Sequence, residues 1–276
     1  MSHHPVLLDE VIVHLKVKKG GLYIDATLGE GGYSLEILKK GGKVLGIDLD
    51  FQQIQNLKSK IQSRDLKLIQ ENFKDIERIA KEHGFFPVDG VVFDLGLSMR
   101  QLSGLERGFS FKNEKEPLDM RLDLNEEKTA ADYINTLSEQ NLYDLFAKNS
   151  EEINSRTVAV SVIRGRAVRK IKTAGDLVRI VDKAIGIRDE KVLARIFQAL
   201  RIEVNHEFEN LKKGLEGAKN VIKKDGRILV VTFHSLEDRM VKQFVRNNGL
   251  RFDTKKPITA PNGYRYERSA KLRVII

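Results

Sequence analysis

Cysteine is absent from the 276 residues, and that one absence removes disulfides, iron-sulfur clusters and thiolate metal sites together. It also removes any route through a cysteine nucleophile, including covalent attack on a pyrimidine ring. Long apolar runs are lacking too. No stretch approaches the length of a membrane span, and the start lacks the charged and apolar regions of a signal peptide, so a cytoplasmic location is expected. The six histidines, His3, His4, His14, His83, His206 and His234, show no helical i, i+4 pairing, and no metal site is expected.

Basic charge, by contrast, is plentiful. The net charge is +9 and the sequence pI about 9.5, with a mean hydropathy of -0.34 that suits a soluble chain. Placement carries more than the total. Residues 113–155 hold four Lys/Arg against eleven Asp/Glu, 156–201 hold twelve against four, and 239–276 hold ten against two. Two basic blocks of that kind point to a polyanionic partner.

The stretch Asp25-Ala-Thr-Leu-Gly-Glu-Gly-Gly-Tyr-Ser34 is the one around which the chain is organised. It follows the apolar run Leu22-Tyr-Ile24 and precedes a helix-like segment, 34–40, that Gly41-Gly42 stops. Strand, glycine turn and helix in that order let backbone approach a nucleotide-like ligand at a helix N-terminus, with Gly29, Gly31 and Gly32 leaving no Cβ in the way. The dinucleotide fingerprint needs a third glycine where this chain has Ser34, so the match to a nicotinamide site is incomplete. The competing interpretation is a tight turn and nothing more.

Three further apolar runs read as strands: 43–48, 66–70 and 89–94. Asp48 ends the first, 19 residues after Gly29, near the distance at which a second-strand acid reaches ribose hydroxyls; alternatively Asp48 to Asp50 cap the helix that follows from Phe51 to Ser63. Phe73 follows the next strand, where an adenine could lie against the ring or the ring could belong to the core. Asp94 ends the last. Strands alternating with helices imply a doubly wound, mainly parallel α/β sheet, with Asp25, Asp48 and Asp94 at carboxyl ends where such sheets bind ligands. Carboxylates suit the ammonium and hydroxyls of S-adenosylmethionine better than a pyrophosphate.

Beyond Asp94 come Arg107-Gly-Phe-Ser-Phe111 and Pro117-Leu-Asp-Met-Arg-Leu-Asp123, too irregular for core elements and loop-like in composition. From about Thr129 to Arg201 the pattern is wholly helical, with a capping box from Thr173 to Asp176. This reads as an inserted helical subdomain over 113–202, with the core built from 1–112 and 203–276. Arg164, Arg166, Arg169 and Lys170 crowd its middle, either as phosphate contacts or as a solvated face. The alternation resumes with a helix, His206 to Lys224, a stop at Asp225-Gly226, and a strand, Arg227 to Phe233. His234 sits at that strand's carboxyl end, as a general base or a loop-orienting group. Residues 251–254 and 272–276 are expected to add an antiparallel hairpin, and Tyr264-Arg-Tyr-Glu-Arg268 between them suits single-stranded nucleic acid.

With these segments together the chain resembles the bacterial RsmH (MraW) enzymes along almost its full length, through HHPVLLDE, DATLGEGGYS, GIDLD, DLGLSMRQL, RGFSF, PLDMRLD, VVTFHSLEDRMVK and RSAKLR. The resemblance implies a Rossmann-like class I S-adenosylmethionine-dependent methyltransferase sheet with a helical insertion. It implies transfer of methyl to the exocyclic N4 of a cytidine in the decoding centre (P site) of 16S ribosomal RNA, with the small subunit as partner. Carried over by position, the cofactor contacts are Gly31, Gly32, Tyr33, Asp48, Phe73, Asp94 and Gln101. Asp94 is the leading acceptor for the amine hydrogens, with Ser98, Asp119 and His234 as helpers and Arg268 among the RNA contacts.

Two positions depart from the family: Tyr33 stands where a His is usual, and Tyr264 to Arg268 replaces an Asn-Pro-Arg-Ala-Arg pattern. The Asn/Asp-Pro-Pro-aromatic box of amino methyltransferases is missing. A nicotinamide-dependent oxidoreductase and a non-catalytic RNA-binding ribosome assembly factor remain as alternatives, and a homodimer stays open.

Overall fold

Two strands decide the architecture because they are apolar on both sides. In β1 (Leu22–Asp25) and β4 (Val88–Asp94), alternate residues are buried against opposite faces, Ile24, Val91 and Phe93 on one and Tyr23 and Val92 on the other. Near-continuous apolar strands of this kind require cover on both faces, as parallel sheets have. The computed structural model describes residues 5–97, 106–260 and 269–276.

The sheet adds β2 (Lys43–Asp48), β3 (Leu66–Gln70), β5 (Ile222–Thr232) and β6 (Lys271–Ile275), in the order β3-β2-β1-β4-β5-β6. All neighbours are parallel except β6, which runs antiparallel to β5. Order reverses between β1 and β4, and such a switch point opens a crevice at the carboxyl ends of the strands. Helices α1 (Leu8–Leu15) and α2 (Gly32–Lys39) cover one face, while α4 (Ile76–Glu82), α10 (Glu207–Val221) and α11 (Ser235–Asn247) cover the other. Helix α3 (Phe51–Lys60) packs Ile54 and Leu57 on Leu28 of the glycine turn. This is the doubly wound, mainly parallel α/β arrangement that the sequence leads one to expect.

The second unit is helical: α5 (Ala130–Thr136), α6 (Glu139–Ser150), α7 (Ser155–Val168), α8 (Ala174–Ile185) and α9 (Glu190–Val204). Capping boxes start α5 at Thr129 and α8 at Thr173. Its core includes Phe146, Val158, Leu177, Leu193 and Phe197. Fully burying each such side chain contributes about 1.5–3 kcal/mol.

Three boundaries differ from the sequence reading. The chain divides into Met1–Gly96 with Phe208–Ile276, and Leu97–Glu207, rather than at 112 and 202. Phe109, Leu118 and Met120 are buried in the helical unit's own core, so the irregular segments around them belong to that unit and are not peripheral loops. Asn205 fastens them there, donating to the Met120 carbonyl and accepting from Leu122 N, both at 2.8 Å. Secondly, the strand after α10 begins at Ile222, and Asp225-Gly226 falls where its register with β4 shifts, before the regular ladder starts at Arg227. Thirdly, of the expected C-terminal hairpin one partner is a full strand, β6; residues 251–253 pair with it antiparallel through an isolated bridge, Phe252 to Ile275, and through backbone hydrogen bonds of Arg251 with Ile276 and of Asp253 with Val274.

Candidate functional site

The glycine turn needs glycine for two separate reasons. Gly31, the residue before α2, has φ +78°, a left-handed conformation that costs a side chain energy. A Cβ on Gly31 would sit 2.6 Å from a Leu57 methyl, and one on Gly32 only 1.8 Å from Pro5 Cγ. On the side from which a Cβ would project, these two glycines are therefore met by the protein's own side chains. Open space remains beside Gly29, where a Cβ would meet only the Thr27 carbonyl, at 3.9 Å.

Around this turn the structure gathers the three strand-end carboxylates. Asp25 is fully buried and accepts from the Ser34 hydroxyl at 2.7 Å, while its other oxygen has no hydrogen-bond partner. Burial pushes its carboxyl up to about 6, against the Ser34 hydroxyl and with the charge of Asp48 adding to the rise. Asp48 accepts from Gly29 N at 2.7 Å and from Asp50 N at 2.8 Å. Burial raises it to about 6 even so. Asp50, not Asp48, caps α3, through Gln52 N and Gln53 N.

Asp94 is held from both sides. Its backbone N–H donates to Thr27 Oγ1 at 2.6 Å, Gly96 N donates to Oδ1 at 3.2 Å, and the Tyr33 hydroxyl lies 3.1 Å from Oδ2. Burial pushes it up to about 7 in spite of those donors, with the charges of Asp25 and Glu237 adding. Tyr33 itself is buried, and its hydroxyl is also 2.5 Å from the carbonyl oxygen of Val6. Its side chain thus faces protein, leaving backbone as what it offers a ligand. Phe73 is partly buried and meets Phe93 edge to face at 5.6 Å, so one part of the ring belongs to the core.

His234 caps α11: Nδ1 accepts from Glu237 N at 3.4 Å, and Nε2 lies 2.9 Å from Glu237 Oε1 without the alignment of a hydrogen bond. Glu237, buried, also accepts from Phe233 N and His234 N. Asp119 lies in the helical unit and is bound to the Arg121 guanidinium at 2.8 and 2.9 Å. Burial alone would raise its carboxyl, but Arg121 overcomes this and holds it low. Arg164, Arg169 and Lys170 are exposed, whereas Arg166 is half-buried and donates to the Ile134 carbonyl at 2.8 Å. Ser98, Gln101 and Arg268 lie outside the described residues.

Sequence reasoning missed Glu237, Thr27 and the contact of Val6 with Tyr33. The first was signalled, because His-Ser-Leu-Glu has the spacing of a capping box with His in place of Ser or Thr. The others carry no local signal.

Three strand-end carboxylates that burial raises and whose charges act on one another would be relieved by a cation with hydrogen-bond donors. Known proteins bear on what kind of site this is. A family model described as the MraW methylase family matches residues 1–275. A protein from Carboxydothermus hydrogenoformans is 42% identical over 251 residues, 89% of this chain and 80% of that protein. One from Cytophaga hutchinsonii is 41% identical over 261 residues, 94% of this chain and 87% of that protein. Both are named ribosomal RNA small subunit methyltransferase H. Among solved structures, an rRNA methylase from Streptococcus thermophilus aligns with a TM-score of 0.44 and 10% identity, over 100% of this chain and 97% of that one. Since the family match leaves out only the last residue and the relatives align over most of both lengths, the chain belongs to the MraW methylase family.

Proposed function

We propose that this protein methylates small-subunit ribosomal RNA with S-adenosylmethionine, at the exocyclic N4 of a cytidine in the decoding centre. The observation that carries the reading is the carboxylate cluster of Asp25, Asp48 and Asp94 in a chain matched to a methylase family over residues 1–275. The buried, unpartnered oxygen of Asp25 and the raised carboxyls fit a positively charged ligand. The open flank of Gly29 fits close backbone contact. S-adenosylmethionine supplies, when bound, an electrophilic methyl group on a sulfonium.

The residues that would hold it are the backbone of Gly31, Gly32 and Tyr33, Asp48 toward the ribose, and the free part of the Phe73 ring toward the adenine; Gln101 is assigned with them by resemblance. Asp94 accepts a hydrogen of the cytosine amine. That amine's lone pair is delocalised into the ring, so an acceptor that orients it and takes its proton raises its nucleophilicity. An acid with its carboxyl raised to about 7 is poised for this near neutral pH. His234, engaged with Glu237, supports the wall of the crevice, and Ser98 remains a candidate helper. Asp119 is assigned to holding its own segment through Arg121. The helical unit, 97–207, presents Arg164, Arg169 and Lys170 to RNA phosphates, and Arg268 adds to them.

Transfer of labelled methyl from S-adenosylmethionine to small ribosomal subunits, with mapping of the modified nucleotide, tests the reading. Modification at a cytidine N4, lost in Asp94→Ala, is the expected result. Normal turnover by Asp94→Ala, or tight binding of NAD in place of the methyl donor, overturns it.

A further inference from the structure

Tyr33 stands between two groups that compete for one hydrogen. Its hydroxyl oxygen is 2.5 Å from the Val6 carbonyl oxygen and 3.1 Å from Asp94 Oδ2. A phenol carries a single hydrogen and cannot donate it to a carbonyl and to an ionised carboxylate at once. Both contacts are satisfied together only when Asp94 carries a proton, donates it to the phenol oxygen, and leaves the phenol to donate to Val6. When Asp94 is ionised the phenol turns to the carboxylate, the stronger acceptor. Val6 then loses its donor.

Val6 belongs to an arm laid over the glycine turn. Val6 and Leu7 are buried, and Pro5 occupies the space that a Cβ on Gly32 would need. The Tyr33 hydroxyl therefore ties this arm to the end of β4, across 27 residues of sequence on one side and 61 on the other. We propose that Tyr33 is a positioning residue that couples the charge on Asp94 to the docking of the N-terminal arm: neutral Asp94 with the arm fastened, ionised Asp94 with the phenol orienting the carboxylate and the arm released from it.

The groups facing Asp94 set where the change occurs. Among the described residues they are Tyr33 from α2, Asp25 from β1 with Asp48 acting behind it, the Thr27 hydroxyl, Gly96 N–H, and Glu237 in the first turn of α11, itself in contact with His234. The acidic members, Asp25 and Glu237, oppose ionisation of Asp94. A bound cation beside the cluster would favour it. Donor binding and release of the arm are thus expected to go together, a consequence that rests on the functional reading above. The coupling itself does not.

Backbone hydrogen exchange of the arm in the full chain, corrected for the intrinsic pH dependence of exchange, reads the coupling directly. In the wild type, protection of the amides around Val6 should fall by about fivefold as pH rises from about 6 to about 8, the loss expected for one neutral hydrogen bond. Tyr33→Phe should show the low protection at every pH, and Asp94→Asn, which cannot ionise, should hold one level throughout. Thermal melts identify a variant that fails to fold, and the other then decides. Arm protection that is flat with pH in the wild type, or a step that survives in Tyr33→Phe, overturns the inference. In the transfer assay Tyr33→Phe should shift the pH profile of kcat, because the phenol no longer orients the Asp94 carboxylate. If no rRNA is methylated under any condition the functional reading fails, yet the exchange result still decides the coupling.

Discussion

Asp48 Oδ2 accepts the backbone N–H of Gly29 at 2.7 Å, so the acid that ends β2 also fastens the glycine turn that follows β1. Its other oxygen takes Asp50 N at 2.8 Å. Substituting Asp48 by Ala leaves both N–H groups without that partner and removes the proposed ribose acceptor. Donor affinity should fall on the order of tenfold to a hundredfold, equivalent to the about 1–3 kcal/mol of an unsatisfied buried polar group. Stability should change less. At neutral pH a carboxyl raised to about 6 already opposes folding, and its removal offsets part of the lost bonding. Titration calorimetry with S-adenosylmethionine separates the two effects; unchanged affinity would count against a ribose role.

That contact shows why part of the site is legible in the order of residues along the chain. The 19-residue interval from Gly29 to Asp48 spans one turn, one helix and one strand, and parallel pairing of β1 with β2 brings its two ends level. Apolar runs ending in Asp25, Asp48 and Asp94 are similarly local, and the sheet's order follows from short crossovers. Pro5 on Gly32 is different. Nothing near Pro5 in sequence indicates that its ring fills the place of a missing side chain 27 residues later, because that contact exists only once α1 and α2 share a face of the sheet. Phe109 and Met120 were illegible for a related reason: they sit in segments without periodicity, and their burial is decided by helices that come later in the chain.

The carboxylate cluster should make stability fall with rising pH. Asp25 and Asp48 are raised to about 6 and Asp94 to about 7, all from 3.8, so the folded chain holds protons that the unfolded chain has lost. Their contribution is complete below about pH 4 and declines through about pH 7, after which it is constant. Asp89 and Asp238, whose basic partners more than offset burial and hold them low, act in the opposite sense but below that window. Asp94→Asn removes one of the three penalties and should raise the melting temperature at about pH 8, by about 2–4 °C for each kcal/mol relieved, while abolishing methyl transfer. Melts across the pH range check this. A wild-type melting temperature that climbs steadily from about pH 4 to about pH 7 contradicts the sign.

Salt dependence separates the two kinds of arginine in the basic block. Arg164 and Arg169 are exposed and have no ion-pair partner among the described residues, and Lys170 is exposed beside them. Arg166 lies in the same run but spends its guanidinium on the Ile134 carbonyl, which joins α7 to the end of α5. If the exposed three meet RNA phosphates, each substitution to Ala should weaken rRNA binding at low salt and reduce the slope of log affinity against log salt by about 0.7–0.9, the release expected per neutralised phosphate. Arg166→Ala should leave that slope nearly as it is and lower the melting temperature, because a buried carbonyl loses its donor. Anisotropy titrations with a fragment of 16S ribosomal RNA over a series of salt concentrations give the slopes. Equal slopes for the wild type and all four variants would remove the helical unit's basic face from the RNA interface and leave the C-terminal block to carry it.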